Sequence, residues 1–198
     1  MRFLREVCQT AMALFNPNLL EPNLILGQTI LHLTPDIVRQ NQIKGLILDV
    51  DETLVPVGQK QASEDLVQWA NDMKRTANIW LVSNNPSHNR IGRIAELLEL
   101  PYLLGAKKPS RQKLRKAIDA MDLRPQEVAM VGDRLFTDVL AGNRLGLFTI
   151  LVEPMVDPLK GNQRYPIHNA EVWVSKLLGA SLDGMKQNFA KGNKKRAS

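Results

Sequence analysis

From residue 44 onward, apolar and polar positions fall into short buried runs separated by amphipathic stretches. Gly45–Val50 is an apolar run ending in acids, as expected of a strand covered on both faces of a parallel sheet. Ser63–Arg75 then places Leu66, Trp69, Ala70 and Met73 on one helical face. The alternation continues with a strand over Ile79–Val82 and a helix over Ser87–Leu100. A brief strand over Tyr102–Leu104 and a helix over Arg111–Met121 follow. Val128–Val131 reads as strand, Phe136–Leu145 as helix and Phe148–Val152 as strand. Five short strands alternating with helices predict an α/β fold built on a doubly wound, parallel five-stranded sheet. Ligands of such sheets sit at the carboxyl ends of the strands.

The first forty-odd residues have a different texture. Phe3, Val7, Ala11 and Phe15, joined by Leu4, Cys8 and Leu14, make a helix with one apolar face, which Asn16-Pro17-Asn18 stops. Leu19, Leu20, Leu24, Ile25, Leu26, Ile30, Leu31 and Leu33 form a dense apolar patch in irregular sequence. The expectation is a cover packed across the main domain. The alternative is an interfacial helix with Arg2 and Arg5 near lipid phosphates. Beyond residue 152, Pro154, Pro158, Gly161 and Pro166 read as loop, and a last helix is expected over Glu171–Leu178. The expected division is an N-terminal segment (1–43), a catalytic domain (44–180) and a basic, solvated tail (181–198).

Composition narrows the class without fixing the activity. A chain of 198 residues can bury a core that needs no disulfide, and 44% hydrophobic with 23% charged residues is ordinary for a soluble protein. Cys8 is the only cysteine, which excludes an internal disulfide and fits a reducing compartment. Residues 7–35 are poor in charge, but Pro17, Pro22 and Pro35 interrupt them too often for a membrane span. Arg5 and Glu6 break the apolar run that a signal peptide requires, so a cytoplasmic protein is expected, with peripheral contact at the inner membrane face as the alternative. Much of the net charge of +6 sits in Lys186, Lys191, Lys194, Lys195 and Arg196. Such a tail attracts anionic lipid or nucleic acid, and with 5% aromatics and no RNA-binding motif, nucleic acid is the weaker partner. His32, His88 and His168 each stand alone, without a partner at metal-ligand spacing.

The chemistry gathers at four strand ends. The first strand ends in Asp49-Val50-Asp51-Glu52-Thr53, and two acids one residue apart need a cation or a shared proton between them. Magnesium with a bound phosphate would supply that compensation. Asp49 is then placed to attack phosphorus, and Asp51 to protonate the leaving oxygen and later to activate water. The second strand ends in Ser83-Asn84-Asn85, where a hydroxyl and turn N–H groups can hold phosphate oxygens. Lys107-Lys108-Pro109 follows the third strand, and one lysine there can offset the carboxylates. The fourth ends in Gly132-Asp133-Arg134, with Thr137 and Asp138 just beyond; Asp133 is a candidate metal ligand and Asp138 can orient it. Arg134 can reach a phosphate or pair with a neighbouring acid.

This ordered set resembles the haloacid dehalogenase (HAD) superfamily over about residues 44–152: Asp49-x-Asp51-x-Thr53, Ser83, Lys108 before proline, and Gly132-Asp133-x-x-x-Thr137-Asp138. The resemblance implies Asp49 as nucleophile and Asp51 as general acid/base. It implies a phosphate site of Thr53, Ser83, Asn84 and Lys108, and Mg2+ at Asp49, Asp51 (through its carbonyl), Asp133 and Asp138. The longer strings Leu48-Asp49-Val50-Asp51-Glu52-Thr53-Leu54 and Gly132–Val139 look like the YqeG-like subfamily, which is similar to phosphatidylglycerophosphate phosphatases.

Only Val55–Asn78 separates the first acids from the second strand, and Ser87–Gly105 is equally short, so neither insertion point can hold a cap domain. An open site suits a large substrate, such as a lipid head group. The same chemistry on a soluble ester, nucleotide or phosphoprotein is the alternative. A phospho-acceptor signalling module is a further alternative, although the lysine here precedes the last acid pair instead of following it.

Overall fold

A computed structural model describes residues 16–59 and 61–155. The expected N-terminal helix through Phe15, the helix over Glu171–Leu178, Cys8, His168 and the basic tail lie outside the described residues.

Among the described residues, six strands form one parallel sheet. They are β1 (Leu24–Ile25), β2 (Gly45–Leu48), β3 (Asn78–Val82), β4 (Tyr102–Leu103), β5 (Val128–Gly132) and β6 (Phe148–Leu151), in the order β1-β6-β5-β2-β3-β4. The helices are α1 (Pro35–Gln40), α2 (Glu64–Lys74), α3 (His88–Leu98), α4 (Gln112–Met121) and α5 (Leu140–Asn143). The central strands pair in straight register, with Leu46 opposite Ile79 and Ala129, and Leu48 opposite Leu81 and Val131. Leu46, Ile47 and Leu48 are fully buried, as a strand covered by helices on both faces must be. Each such side chain contributes on the order of 2 kcal/mol by leaving water.

The strand count corrects the expected five to six. The added strand, β1, pairs Leu24 with Ile150 and Ile25 with Leu151 at the sheet's edge. Three apolar residues between Pro22-Asn23 and Gly27, two of them in the strand, are too few to display a period, so the apolar pattern could not reveal it. Side chains hold it in place instead. Asn23 Oδ1 accepts from Thr149 N at 2.8 Å, and Asn143 Nδ2 donates to the Leu19 and Glu21 carbonyls, both at 2.9 Å. α1 starts at Pro35 behind Thr34, whose Oγ1 accepts from Ile37 N. Leu20, Ile30, Leu33, Val38 and Ile43 are buried, and Trp69 Nε1 donates to the Leu33 carbonyl at 2.8 Å.

The helix expected over Phe136–Leu145 is divided. Leu135–Val139 is a π-helical turn, in which Val139 N–H reaches back five residues to the Arg134 carbonyl, and only Leu140–Asn143 is α-helical. One wide turn rotates the residues that follow it, and such turns recur at functional sites. Here it sets the direction of Asp138.

Candidate active site

β2 lies between β3 and β5, so the acids that end it sit where the chain crosses to either side of the sheet. Asp49 N–H donates to the Val131 carbonyl at 3.0 Å, extending the β2–β5 ladder by one bond and fixing the Asp49 backbone. Asp133 follows β5 directly and Asp138 lies in the π turn; all three acids are buried. One carboxylate oxygen from each lies within 4.8 Å of the others. Gly132 makes this approach possible, because a Cβ there would lie 2.4 Å from the Asp138 carboxyl carbon.

Lys108 enters this acid cluster from the loop after β4. Its Nζ is 2.6 Å from Asp49 Oδ1 and 2.7 Å from Asp138 Oδ1, with 1% of the side chain exposed. Burial opposes the ammonium charge, but the Asp138 and Asp49 carboxylates more than offset it, so its pKa is raised. The ammonium hydrogen-bonds to Asp49 Oδ1 and forms an ion pair with Asp138 Oδ1. Burial pushes Asp49 up to about 6, against the opposing pull of Lys108. Burial, followed by the charges of Asp138 and Asp49, pushes Asp133 up to about 8. Three buried carboxylates beside one lysine are short of positive charge. All-oxygen donors converging this closely fit a small hard divalent cation such as magnesium.

Thr53 is fully buried, and its hydroxyl donates to Asp133 Oδ1 at 2.9 Å, so it braces a candidate metal ligand instead of facing the cleft. Asn84 Oδ1 accepts from Lys108 N and Asn84 Nδ2 donates to the Lys108 carbonyl. Ser83 is buried; its Oγ accepts from Asn85 N at 3.0 Å and lies 3.5 Å from Asp51 Oδ2. The Asp51 carboxylate stands apart from the three acids, held by Arg90 Nη1 on Oδ1 and by Asn85 Nδ2 at 3.2 Å on Oδ2. Arg134 Nη2 donates to Glu52 Oε2 at 2.6 Å, so in this structure it pairs with an acid. Glu52 occupies the left-handed region at φ 66°, and its carbonyl accepts from Met155 N.

Arg90 is the residue that the motif pattern missed. It lies on the buried face of α3 beside Ile91, Ile94 and Leu98, and also donates to the Gln59 and Pro56 carbonyls at 2.8 and 3.2 Å. A lone cation at an inward helical position was the signal available in the sequence. Above these groups opens a cleft of 370 Å³, lined by Asp49, Asp51, Val57, Asn84, Asn85, Lys108, Arg134 and Thr137. Its floor holds Lys108 among acids, and its wall holds Arg134, whose charge is shared with Glu52.

The profile of the mitochondrial PGP phosphatase family matches residues 4–157. The chain is 36% identical over 129 residues to "Probable phosphatase YqeG" of Bacillus subtilis, covering 65% of this chain and 74% of that protein. It is 30% identical over 156 residues to the mitochondrial phosphatidylglycerophosphatase GEP4 of Saccharomyces cerevisiae, covering 72% and 83%. A solved haloacid dehalogenase-like family hydrolase from Xanthomonas campestris is 12% identical with TM-score 0.38, covering 69% of this chain and 96% of that one. Among the described residues, no helix is long and apolar enough to cross a membrane.

Proposed function

Because the chain belongs to the mitochondrial PGP phosphatase family, a group of HAD-superfamily phosphatases, we propose that it hydrolyses the terminal phosphomonoester of phosphatidylglycerophosphate. The observation that carries this reading is Asp49 on the floor of an open cleft, between Lys108 Nζ and two further buried acids.

In the proposed reaction a carboxylate oxygen of Asp49 attacks phosphorus in line, and the bond from phosphorus to the ester oxygen breaks. Asp51, two residues along and on the cleft wall, gives its proton to the leaving alkoxide. Water then attacks phosphorus of the aspartyl-phosphate, Asp51 takes a proton from it, and phosphate leaves with Asp49 restored. Lys108, hydrogen-bonded to Asp49 and ion-paired with Asp138, turns a free N–H toward the phosphate. Asp49, Asp133 and Asp138 would hold Mg2+, which would supply positive charge to the phosphoryl group. Thr53 and Asn84 act by holding Asp133 and Lys108 in place.

In this reading residues 44–180 are the phosphatase domain, with appendages before and after it, and the protein works at a membrane surface. Release of phosphate from phosphatidylglycerophosphate is measured with magnesium beside a panel of soluble esters. A preference for the lipid is expected, together with its loss in Asp49→Asn. A clear preference for a soluble ester would remove the lipid assignment.

A further inference from the structure

A second concavity, of 450 Å³, lies beside the catalytic cleft and is lined by Arg111, Arg115, Lys116 and Arg144, with no carboxylate among the described residues that line it. Arg144 Nη1 donates to the Pro109 carbonyl at 3.3 Å, and Arg111 Nη1 to the Arg144 carbonyl at 3.2 Å. These bonds tie the loop after β4 to the end of α5 through neutral acceptors, so they leave both guanidinium charges uncompensated. Arg115 and Lys116 are exposed on the first turns of α4, and neither forms an ion pair with a described residue. Four like charges line the concavity with no ion pair to a described residue, Asp119 lying one turn further along the helix, and an external anion relieves their repulsion.

The position relates the patch to the chemistry. Lys108 lines the cleft, and Pro109, the next residue, lines the patch, so one short loop forms a wall of both. We propose that Arg111, Arg115, Lys116 and Arg144 form a docking surface for the phosphodiester head groups of an anionic bilayer. Docking there brings the open cleft to the plane of the membrane; this role rests on the lipid-phosphate reading above. The attraction rests on charge, to which guanidinium and ammonium groups both contribute. The patch has no aromatic side chain in its lining on which bases could stack, which favours a bilayer over a nucleic acid.

The test measures binding of the full chain to vesicles of phosphatidylcholine, with and without phosphatidylglycerol, free of any substrate. Each basic residue near an anionic surface is worth about fivefold in affinity, so Arg115→Gln with Lys116→Gln weakens binding to the anionic vesicles about 30-fold. Arg115→Lys, which keeps the charge, retains the affinity. Hydrolysis of a soluble aryl phosphate by the double variant stays at the wild-type rate. Unchanged affinity in the double variant overturns the proposal. So does an equal loss on vesicles without phosphatidylglycerol, or a loss confined to single-stranded RNA binding. If the vesicle result holds but phosphatidylglycerophosphate is not hydrolysed, the docking surface stands and the substrate assignment falls.

Discussion

Asn84 grips the Lys108 peptide from both sides: its Oδ1 accepts the Lys108 N–H at 2.6 Å and its Nδ2 donates to the Lys108 carbonyl at 3.3 Å. The residue after Ser83 thereby sets the backbone from which Lys108 reaches Asp49 and Asp138. Asn84→Ala is expected to lower kcat/KM for an aryl phosphate by about 10- to 100-fold, the scale of a displacement near one ångström. Asn84→Asp keeps the acceptor, loses the donor and falls between the two. Wild-type turnover in Asn84→Ala would show that the Lys108 backbone needs no such clamp.

Asp49→Asn removes the proposed nucleophile while leaving its shape. Turnover is expected to drop by about 10⁴-fold or more, the scale seen when a covalent nucleophile is lost. Acid quenching with a phosphate-labelled substrate separates the roles. The wild type retains label on the protein and the variant does not.

Thr53→Val keeps volume and removes the hydroxyl that donates to Asp133 Oδ1 at 2.9 Å. Losing a hydrogen bond that orients a metal ligand costs about 10- to 100-fold in metal affinity. Magnesium titration by calorimetry reads this without turnover. Equal affinity in the two proteins would assign Thr53 to packing alone.

The acid cluster makes stability depend on pH in a defined direction. Asp49 rises to about 6 and Asp133 to about 8 in the folded chain, against 3.8 for an ordinary aspartate. The folded state therefore holds protons that the unfolded state has released. The contribution of these two groups to metal-free stability is full below about pH 4 and is lost as pH rises through the two folded values. In chelator, Tm is expected to fall by roughly 5 °C or more between about pH 5 and about pH 8.5. Saturating magnesium shrinks that fall, because a cation favours the ionised carboxylates. A Tm independent of pH in chelator would contradict the raised values.

The catalytic half of the fold was legible because each of its signals is local. Val128–Gly132 is an apolar run, Ser63 caps α2 by accepting from Leu66 N at 3.2 Å, Asp49 and Asp133 each follow a strand end directly, and Lys108 stands before a proline in the loop after β4. What escaped depends on partners far away in sequence. β1 owes its existence to Thr149 and Asn143, more than a hundred residues on. The hydrogen bonds from Thr53 to Asp133 and between Asn84 and the Lys108 backbone were hidden for the same reason. A hydroxyl or amide in a phosphate-site motif looks alike whether it faces the ligand or braces the residue that does. Arg90 reaches Asp51 across 39 positions, and only its place on the buried side of α3 betrays it.

The pairing of Leu24 with Ile150 has a consequence for the order in which the chain is made. Residues at the start of the sheet leave the ribosome before their partner strand exists, and more than a hundred further residues must follow. The strands that carry the acids, β2 and β5, are next to each other and can join earlier. An unfinished chain thus presents a sheet with one open side at Val128–Gly132, where other extended chains can add. Closure of that side waits for β6, the strand on which β1 also depends.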